Sequence, residues 1–264
     1  MSMEQQIGSL HLSVSEKGVA TVVFSRPPVN AVSLSVYEDL GRLVTAIEQS
    51  NDIRVVVLTA PATAKAWCGG ADLKDFVGMD TAARKERYAF INERVPGFYR
   101  LDRPVIAAIN GHAIGIGWIL AGLCDLRIAS NKALFACPEI DYGLVAGGAG
   151  LMAMLKIPEA KAREMLYTGR KFSAQELQPT GFFNEVVEPD QVLPRAMALA
   201  HQIAAKSLPA LRARKAACVA LEGRSWMEAY LDAQALSATL VAGADSGEGV
   251  RAFLEHRAPR YADR

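Results

Sequence analysis

Hydrophobic positions change period several times along the chain, and each change marks an element. Residues 10–14 (LHLSV) and 19–25 (VATVVFS) alternate or run apolar, which predicts two strands of a hairpin turning around Glu16–Gly18. Pro27 and Pro28 end the second strand, because proline lacks the N–H that a strand ladder needs. Leu34, Leu40, Leu43, Val44 and Ile47 recur at helical spacing, with Ser33 or Ser35 where an N-cap belongs. Residues 53–59 (IRVVVLT) are β-branched and continuous, as a strand covered on both faces is. A helix is expected after ADLKD, and a longer one with a charged face over roughly 81–101. Strand 104–109, a helix from about 115, strand 124–129 and a short strand near 133–136 follow. From about 190 the pattern is helical, with segments near 190–205, 208–221, 225–241 and 246–256 broken at Ser207–Pro209, Gly223 and Gly243. The expected architecture is an α/β core of repeated β-β-α units over 1–190 and a helical C-terminal module over 191–264. It has no low-complexity run and no repeat of solenoid period.

One stretch, 104–124, carries no charge and contains Gly111 and Gly115 in a GxxxG spacing, so it is long enough to be read as a membrane span. Asn110, Gly111 and His112 interrupt it, with a strand-like VIAAI before them and a helix-like IGWILAG after. A strand–turn–helix in a globular core is the better reading. Composition agrees: 51% of residues are hydrophobic and 22% charged, as in soluble globular proteins. Lys and Arg number 29 against 28 Asp and Glu, so no charge excess points to nucleic acid or an anionic membrane. Cys68, Cys124, Cys137 and Cys218 form no CxxC pair, which leaves a zinc site or redox dithiol unsupported and predicts reduced thiols in a cytoplasmic protein. MSMEQQIGSL has neither a secretory pattern nor an Arg-rich transit pattern.

The candidate chemistry sits in three segments: AWCGGADLKD (66–75), AAINGHAIGIGWILAGLCDLRIA (107–129) and FACPEIDYGLVAGGAG (135–150). Each delivers small residues into the start of a helix, where backbone N–H groups lack partners. Two such junctions brought together can grip one carbonyl oxygen, and the third segment supplies a lone carboxylate, Glu139. Competing site types fail on spacing. GIG at 115–117 has two glycines of G-x-G-x-x-G but the third position is Leu120, and G-x-S-x-G is absent.

These three segments, in this order, resemble the crotonase (enoyl-CoA hydratase/isomerase) superfamily. The resemblance extends over RPPVNAVS (26–33), YTGRKFSAQEL (167–177) and the helical tail. It implies a crotonase-like spiral of β-β-α units, acyl-CoA thioesters as substrates, no tightly bound cofactor beyond the coenzyme A of the substrate, no metal, and a C-terminal module that packs homotrimers or hexamers. It places the oxyanion donors at the backbone N–H groups of Ala71 and Ile116, Ile116 standing where the family has glycine. It places the acid/base at Glu139, and Arg26, Val29, Ala31, Gly70, Asp72, Leu73, Lys74, Gly115, Pro138, Leu144 and Gly147 along the substrate. Arg26, Lys65 and Lys74 are the candidate cations for the CoA phosphates, and Asp72 is expected to stabilise a helix start. Trp67, Trp118, Phe76 and Met79 are expected around the acyl group, with Trp118 also readable as core. Arg84, Lys85, Arg87, Arg94, Arg100 and Arg103 read as a solvated helix face.

The departure that matters is Ile119, one helical turn past Ile116, where hydratases of the family usually carry a second glutamate. Dehalogenase-type and dienoyl-isomerase members need acids near Gly147, or at Ile119 and Gly147, and those are absent. His112 reads as a position of varied side chains rather than a base. Asp141 could replace the missing acid only if the strand before it continued, and a bend is expected instead. One carboxylate suits 1,3-proton transfer, so double-bond isomerisation is favoured over hydration, with a non-catalytic acyl-CoA-binding protein as the further alternative.

Overall fold

In a computed structural model of the protein, the described residues are 3–76, 80–142, 144, 156–222, 244–245, 248, 251–252 and 255–262. The chain opens with β1 (Met3–Ile7), β2 (Leu10–Val14) and β3 (Val19–Phe24), then β4 (Ala31–Val32) and α1 (Leu34–Gln49). There follow β5 (Val55–Thr59), β6 (Ala66–Cys68), β7 (Gly70–Ala71), a 3-10 turn (Leu73–Phe76) and α2 (Thr81–Tyr99). The next repeat is β8 (Val105–Ile109), β9 (His112–Ile114) and α3 (Ile116–Leu123). After it come β10 (Leu126–Ser130), β11 (Leu134–Ala136) and a 3-10 turn (Pro138–Tyr142). The last described elements are α4 (Glu159–Thr168), β12 (Phe172–Ser173), α5 (Ala174–Leu177), β13 (Glu185–Val187), α6 (Val192–Ala204) and α7 (Leu208–Leu221).

The strands explain the repeat. Each turn of chain leaves one strand in a seven-stranded sheet of order β1-β2-β3-β5-β8-β10-β13 and the next in a four-stranded sheet of order β12-β11-β9-β6. A third, two-stranded sheet pairs β4 with β7. In the large sheet β1 to β3 are antiparallel and every pairing from β3 onward is parallel. Buried on both faces, β5 and β8 need no alternation, and their five positions each are all buried.

Two apolar cores follow from this layering. On one face α1 to α3 and the small sheet enclose Leu12, Val22, Leu43, Ile47, Trp67, Trp118, Phe135 and Phe172. On the other, Val55, Val57, Ile106, Ala108 and Ile128 meet Val192, Ala196, Ala200 and Ala204 of α6. Alanine every fourth residue gives α6 a flat stripe that lies close on the sheet. The tail beginning at 191 therefore starts with a helix that is a layer of the core. The segments expected at 225–241 and over most of 246–256, and a helix after Gly147–Gly150, lie outside the described residues.

Several expectations change. β1 (MEQQI) has too little hydrophobicity to be read as a strand and is recruited by antiparallel pairing with β2. Leu34 begins α1 but is 38% exposed, whereas Leu40, Leu43, Val44 and Ile47 are buried. ADLKD itself runs into a 3-10 turn (Leu73–Phe76), and residues 77–79, where the helix expected after it would begin, lie outside the described residues. Arg103 is fully buried rather than solvated, donating through Nε to Ile53 O (2.7 Å) and through Nη2 to Ser50 O (2.8 Å), which ties the end of α1 to the start of β5. Among the described residues no helix is long and apolar enough to cross a membrane.

Candidate active site

The three small-residue segments meet. Gly70, at φ +106°, precedes Ala71, and Gly115, at φ +54°, precedes the first residue of α3, Ile116. A Cβ on Gly70 would lie 3.1 Å from Ile114 O, and one on Gly115 would lie 3.9 Å from Gly70 Cα, so glycine lets the two junctions touch. Asp72 N–H donates to Val32 O at 2.9 Å on the β4 side. Alternation along the strand turns the Ala71 N–H to the opposite edge, toward α3. Ile116 N–H lies in the first turn of α3, where no intrahelical acceptor exists.

Glu139 closes the triangle. It sits in the Pro138–Tyr142 turn just beyond β11, which β9 holds in parallel register, and Gly115 N–H donates to Ala136 O at 2.8 Å. A Cβ on Gly115 would meet Glu139 Oε1 at 2.9 Å, so the glycine also makes room for the carboxylate. Leu144 N–H donates to Glu139 O at 2.9 Å and fixes the turn. Glu139 Oε2 is buried without a hydrogen-bond partner, and burial pushes the carboxyl above the usual glutamate range. An unpartnered carboxylate oxygen thus stands at the junction of Gly115 and Ile116, which the Gly70–Ala71 junction touches. Such a site can hold an oxygen that gains negative charge and move a proton next to it.

These groups open on a cavity of about 440 Å³. Ala71, Ile116, Glu139, Gly70, Leu73, Gly115, Pro138 and Leu144 all line it, as does Ile119, which is 5% exposed. Much of the remaining wall comes from α1 and α2 through Tyr37, Tyr88, Ile91, Val95 and Tyr99. Sequence reading missed this face, although Tyr88, Ile91, Val95 and Tyr99 repeat at helical spacing.

Of the expected substrate residues that do not line the cavity, Arg26, Val29, Ala31 and Asp72 lie around the β4–β7 pair. Arg26 donates to Ala31 O (3.0 Å) and pairs with Asp72 (2.8 Å), while Gly69 N–H donates to Val29 O (2.8 Å). That guanidinium holds Asp72 below the usual carboxylate range, and Asp72 Oδ1 also accepts from Lys74 N–H, steadying the 3-10 turn as expected of it. Lys65 and Lys74 are exposed. Gly147 and Met79 lie outside the described residues.

Some expected site residues move to other roles. Phe76 lines the cavity, but Trp67 is buried in the core and Trp118 stacks on Phe182 with centroids 4.1 Å apart. His112 accepts the Leu134 N–H on Nδ1 at 3.1 Å, a brace between strands and not part of the cavity wall. Asp141 is exposed and faces Gly169, whose Cβ would approach its Oδ2 to 3.0 Å; the bend before it turns it away from the cavity. One arginine of α2 departs from the expected solvated face, while Arg84 and Arg94 are half-buried and Lys85 is exposed. Arg87 is 5% exposed, donating to Asp75 Oδ2 at 2.9 Å with its guanidinium 4.8 Å from the Phe76 ring centroid. The Leu73–Phe76 turn folds over the helix and covers it.

Gly117, the second glycine of GIG, serves packing. A Cβ there would lie 2.4 Å from Cys68 O, a backbone atom of β6 that cannot yield cheaply. Gly117→Ala is expected to lower stability by about 1–3 kcal/mol or more, read as a drop in melting temperature. An unchanged Tm would contradict this contact.

The enoyl-CoA hydratase/isomerase family model matches residues 14–264. The chain is 34% identical to (E)-benzylidenesuccinyl-CoA hydratase of Thauera aromatica, over 92% of this chain and 95% of that protein. It is 33% identical to carnitinyl-CoA dehydratase of Proteus mirabilis, over 97% and 99%. A crystal structure of enoyl-CoA hydratase from Mycobacterium smegmatis superposes with a TM-score of 0.90 at 31% identity, covering 96% of this chain and 98% of that one. With its matching segments in order and its strands laid down in the same spiral, the chain belongs to the enoyl-CoA hydratase/isomerase family of the crotonase superfamily.

Proposed function

We propose that the protein is an acyl-CoA isomerase in which Glu139 alone moves the proton. The thioester oxygen sits between the N–H groups of Ala71 and Ile116. Glu139 takes a proton from Cα of a 3-enoyl thioester, the electron pair passes into the thioester as an enolate held by the two donors, and the same carboxyl returns the proton to Cγ. Coenzyme A enters as part of the substrate, along Val29, Ala31, Gly70, Asp72, Leu73 and Lys74, with Arg26 holding that edge in place. The observation that carries this reading is that Glu139 is the one carboxylate among the described residues lining the cavity, with apolar Ile119 in the wall. Side-by-side turnover of a trans-3-enoyl-CoA and crotonyl-CoA, with a CoA titration, tests it. Isomerisation is expected to be faster, and CoA binding without turnover of either would make this a binding protein.

A second reading, hydration, draws support from the relatives, whose names are those of a hydratase and a dehydratase. It requires a second group to hold water.

Two further outcomes are expected. Glu139 acts only when ionised and its carboxyl is shifted upward, so kcat/KM should rise with pH through a limb above the ordinary glutamate value of about 4.3. A flat profile from pH 4.5 upward would contradict an upshifted base. The assembly is a trimer or hexamer built on the tail after α6; Leu221, 49% exposed at the end of α7, suits such a contact. Light scattering at micromolar concentration should give three or six chains, and a monomer would contradict it.

A further inference from the structure

Among the described residues, Arg84, Arg87 and Arg100 line the cavity against a single carboxylate, Glu139. Arg84 and Arg87 of α2 flank the Phe76 ring, with guanidinium carbons 4.7 and 4.8 Å from its centroid. Asp75 serves Arg87, and the same Oδ2 also accepts from Leu34 N–H at 3.2 Å. Arg84 pairs with no carboxylate among the described residues. Its Nη2 donates to the Tyr88 hydroxyl at 3.0 Å and its guanidinium stands 5.0 Å from the Tyr88 ring centroid, so it is held in place by two aromatic rings. Both Arg84 and Tyr88 line the same cavity as Glu139.

We infer that Arg84 and Tyr88 recognise a carboxylate on the acyl group, so that the preferred substrates are mono-CoA thioesters of dicarboxylic acids. This inference rests on the acyl-CoA reading above. Among the described residues Arg84 Nε and Nη1 have no hydrogen-bond partner, and the Tyr88 hydroxyl, having accepted from Arg84, still has its own proton to donate. Together they offer a guanidinium edge and a phenol to one carboxylate, a geometry suited to a planar anion rather than to an alkyl end. A neutral chain would leave a guanidinium facing an apolar tail, which selects against it. The same cation could instead contact a phosphate of coenzyme A, and the test separates the two.

Affinities of adipyl-CoA, hexanoyl-CoA and free CoA are measured for the wild type, Arg84→Met and Arg84→Lys, with folding checked by melting curves. The wild type is expected to bind adipyl-CoA at least about 10-fold tighter than hexanoyl-CoA, as one charge-assisted contact provides. Arg84→Met should erase that preference, Arg84→Lys should keep part of it, and free CoA should bind all three proteins alike. Equal binding of the two thioesters to the wild type overturns the inference. So does an Arg84→Met protein that loses affinity for free CoA and both thioesters equally, which assigns Arg84 to a phosphate. Adipyl preference in a protein that turns over neither a trans-3-enoyl-CoA nor crotonyl-CoA upholds the inference while removing the isomerase reading, and no binding of any of the three ligands removes both.

Discussion

Glu139→Gln is expected to lower isomerase turnover by about 10²–10⁴-fold while leaving CoA affinity unchanged, the range that general acid/base catalysis commands. Glutamine keeps the volume of the side chain and its place beside Gly115, so the two N–H donors and the cavity stay as they are. What is lost is the carboxylate's capacity to accept the proton and give it back. Stability should move the other way. Burial raises the Glu139 carboxyl above its unfolded value, so its contribution to folding is full below the unfolded pKa and is lost as pH rises through the folded one. Once ionised, Glu139 is a desolvated carboxylate with an unpaired Oε2, so at a pH above its raised folded pKa the glutamine variant should melt at the same or a higher temperature. Wild-type turnover in this variant would remove Glu139 from the mechanism.

Ile119→Glu is expected to raise the ratio of hydration to isomerisation by about 10-fold or more, since it adds a group able to hold and deprotonate water. Ile119 lines the cavity from the first turns of α3, on the same helix that presents the Ile116 N–H. A carboxylate at a position 5% exposed costs stability unless it is hydrogen-bonded or protonated, so the comparison needs protein shown to be folded by its melting curve. An unchanged ratio in folded protein would mean that Ile119 does not limit hydration. Asp141, exposed and turned toward Gly169, is in no position to supply the second acid.

What the sequence made legible was local. A continuous β-branched run marked β5 and an apolar run β8, and glycines marked the junctions where Ala71 and Ile116 start their turns, because each signal reflects a nearby steric or burial demand. Glu139 stood out as a carboxylate between proline and a glycine-rich run, and its Oε1 lies against Gly115 at the second junction. The cavity's far wall was hidden because it depends on how α2 lies against the Leu73–Phe76 turn. Arg84, Lys85, Arg87 and Arg94 on α2 read as solvated, yet Arg87 is covered by Phe76 and paired with Asp75. Trp118 was ambiguous for a related reason: a helix apolar on nearly every side gives no sign of which face meets Phe182 and which the cavity. β1 was illegible since its strand character comes from pairing with β2 and not from its own residues.

The most direct measurement of single-carboxylate transfer follows a label. A 3-enoyl-CoA carrying deuterium at C2 is converted by the wild type in ordinary water, and the product is examined by mass spectrometry and NMR. If one buried carboxyl removes the proton from C2 and returns it to C4, the product is the 2-enoyl-CoA with part of the deuterium at C4. A product that is mainly 3-hydroxyacyl-CoA, or a 2-enoyl-CoA with no deuterium at C4, would contradict transfer by Glu139 alone.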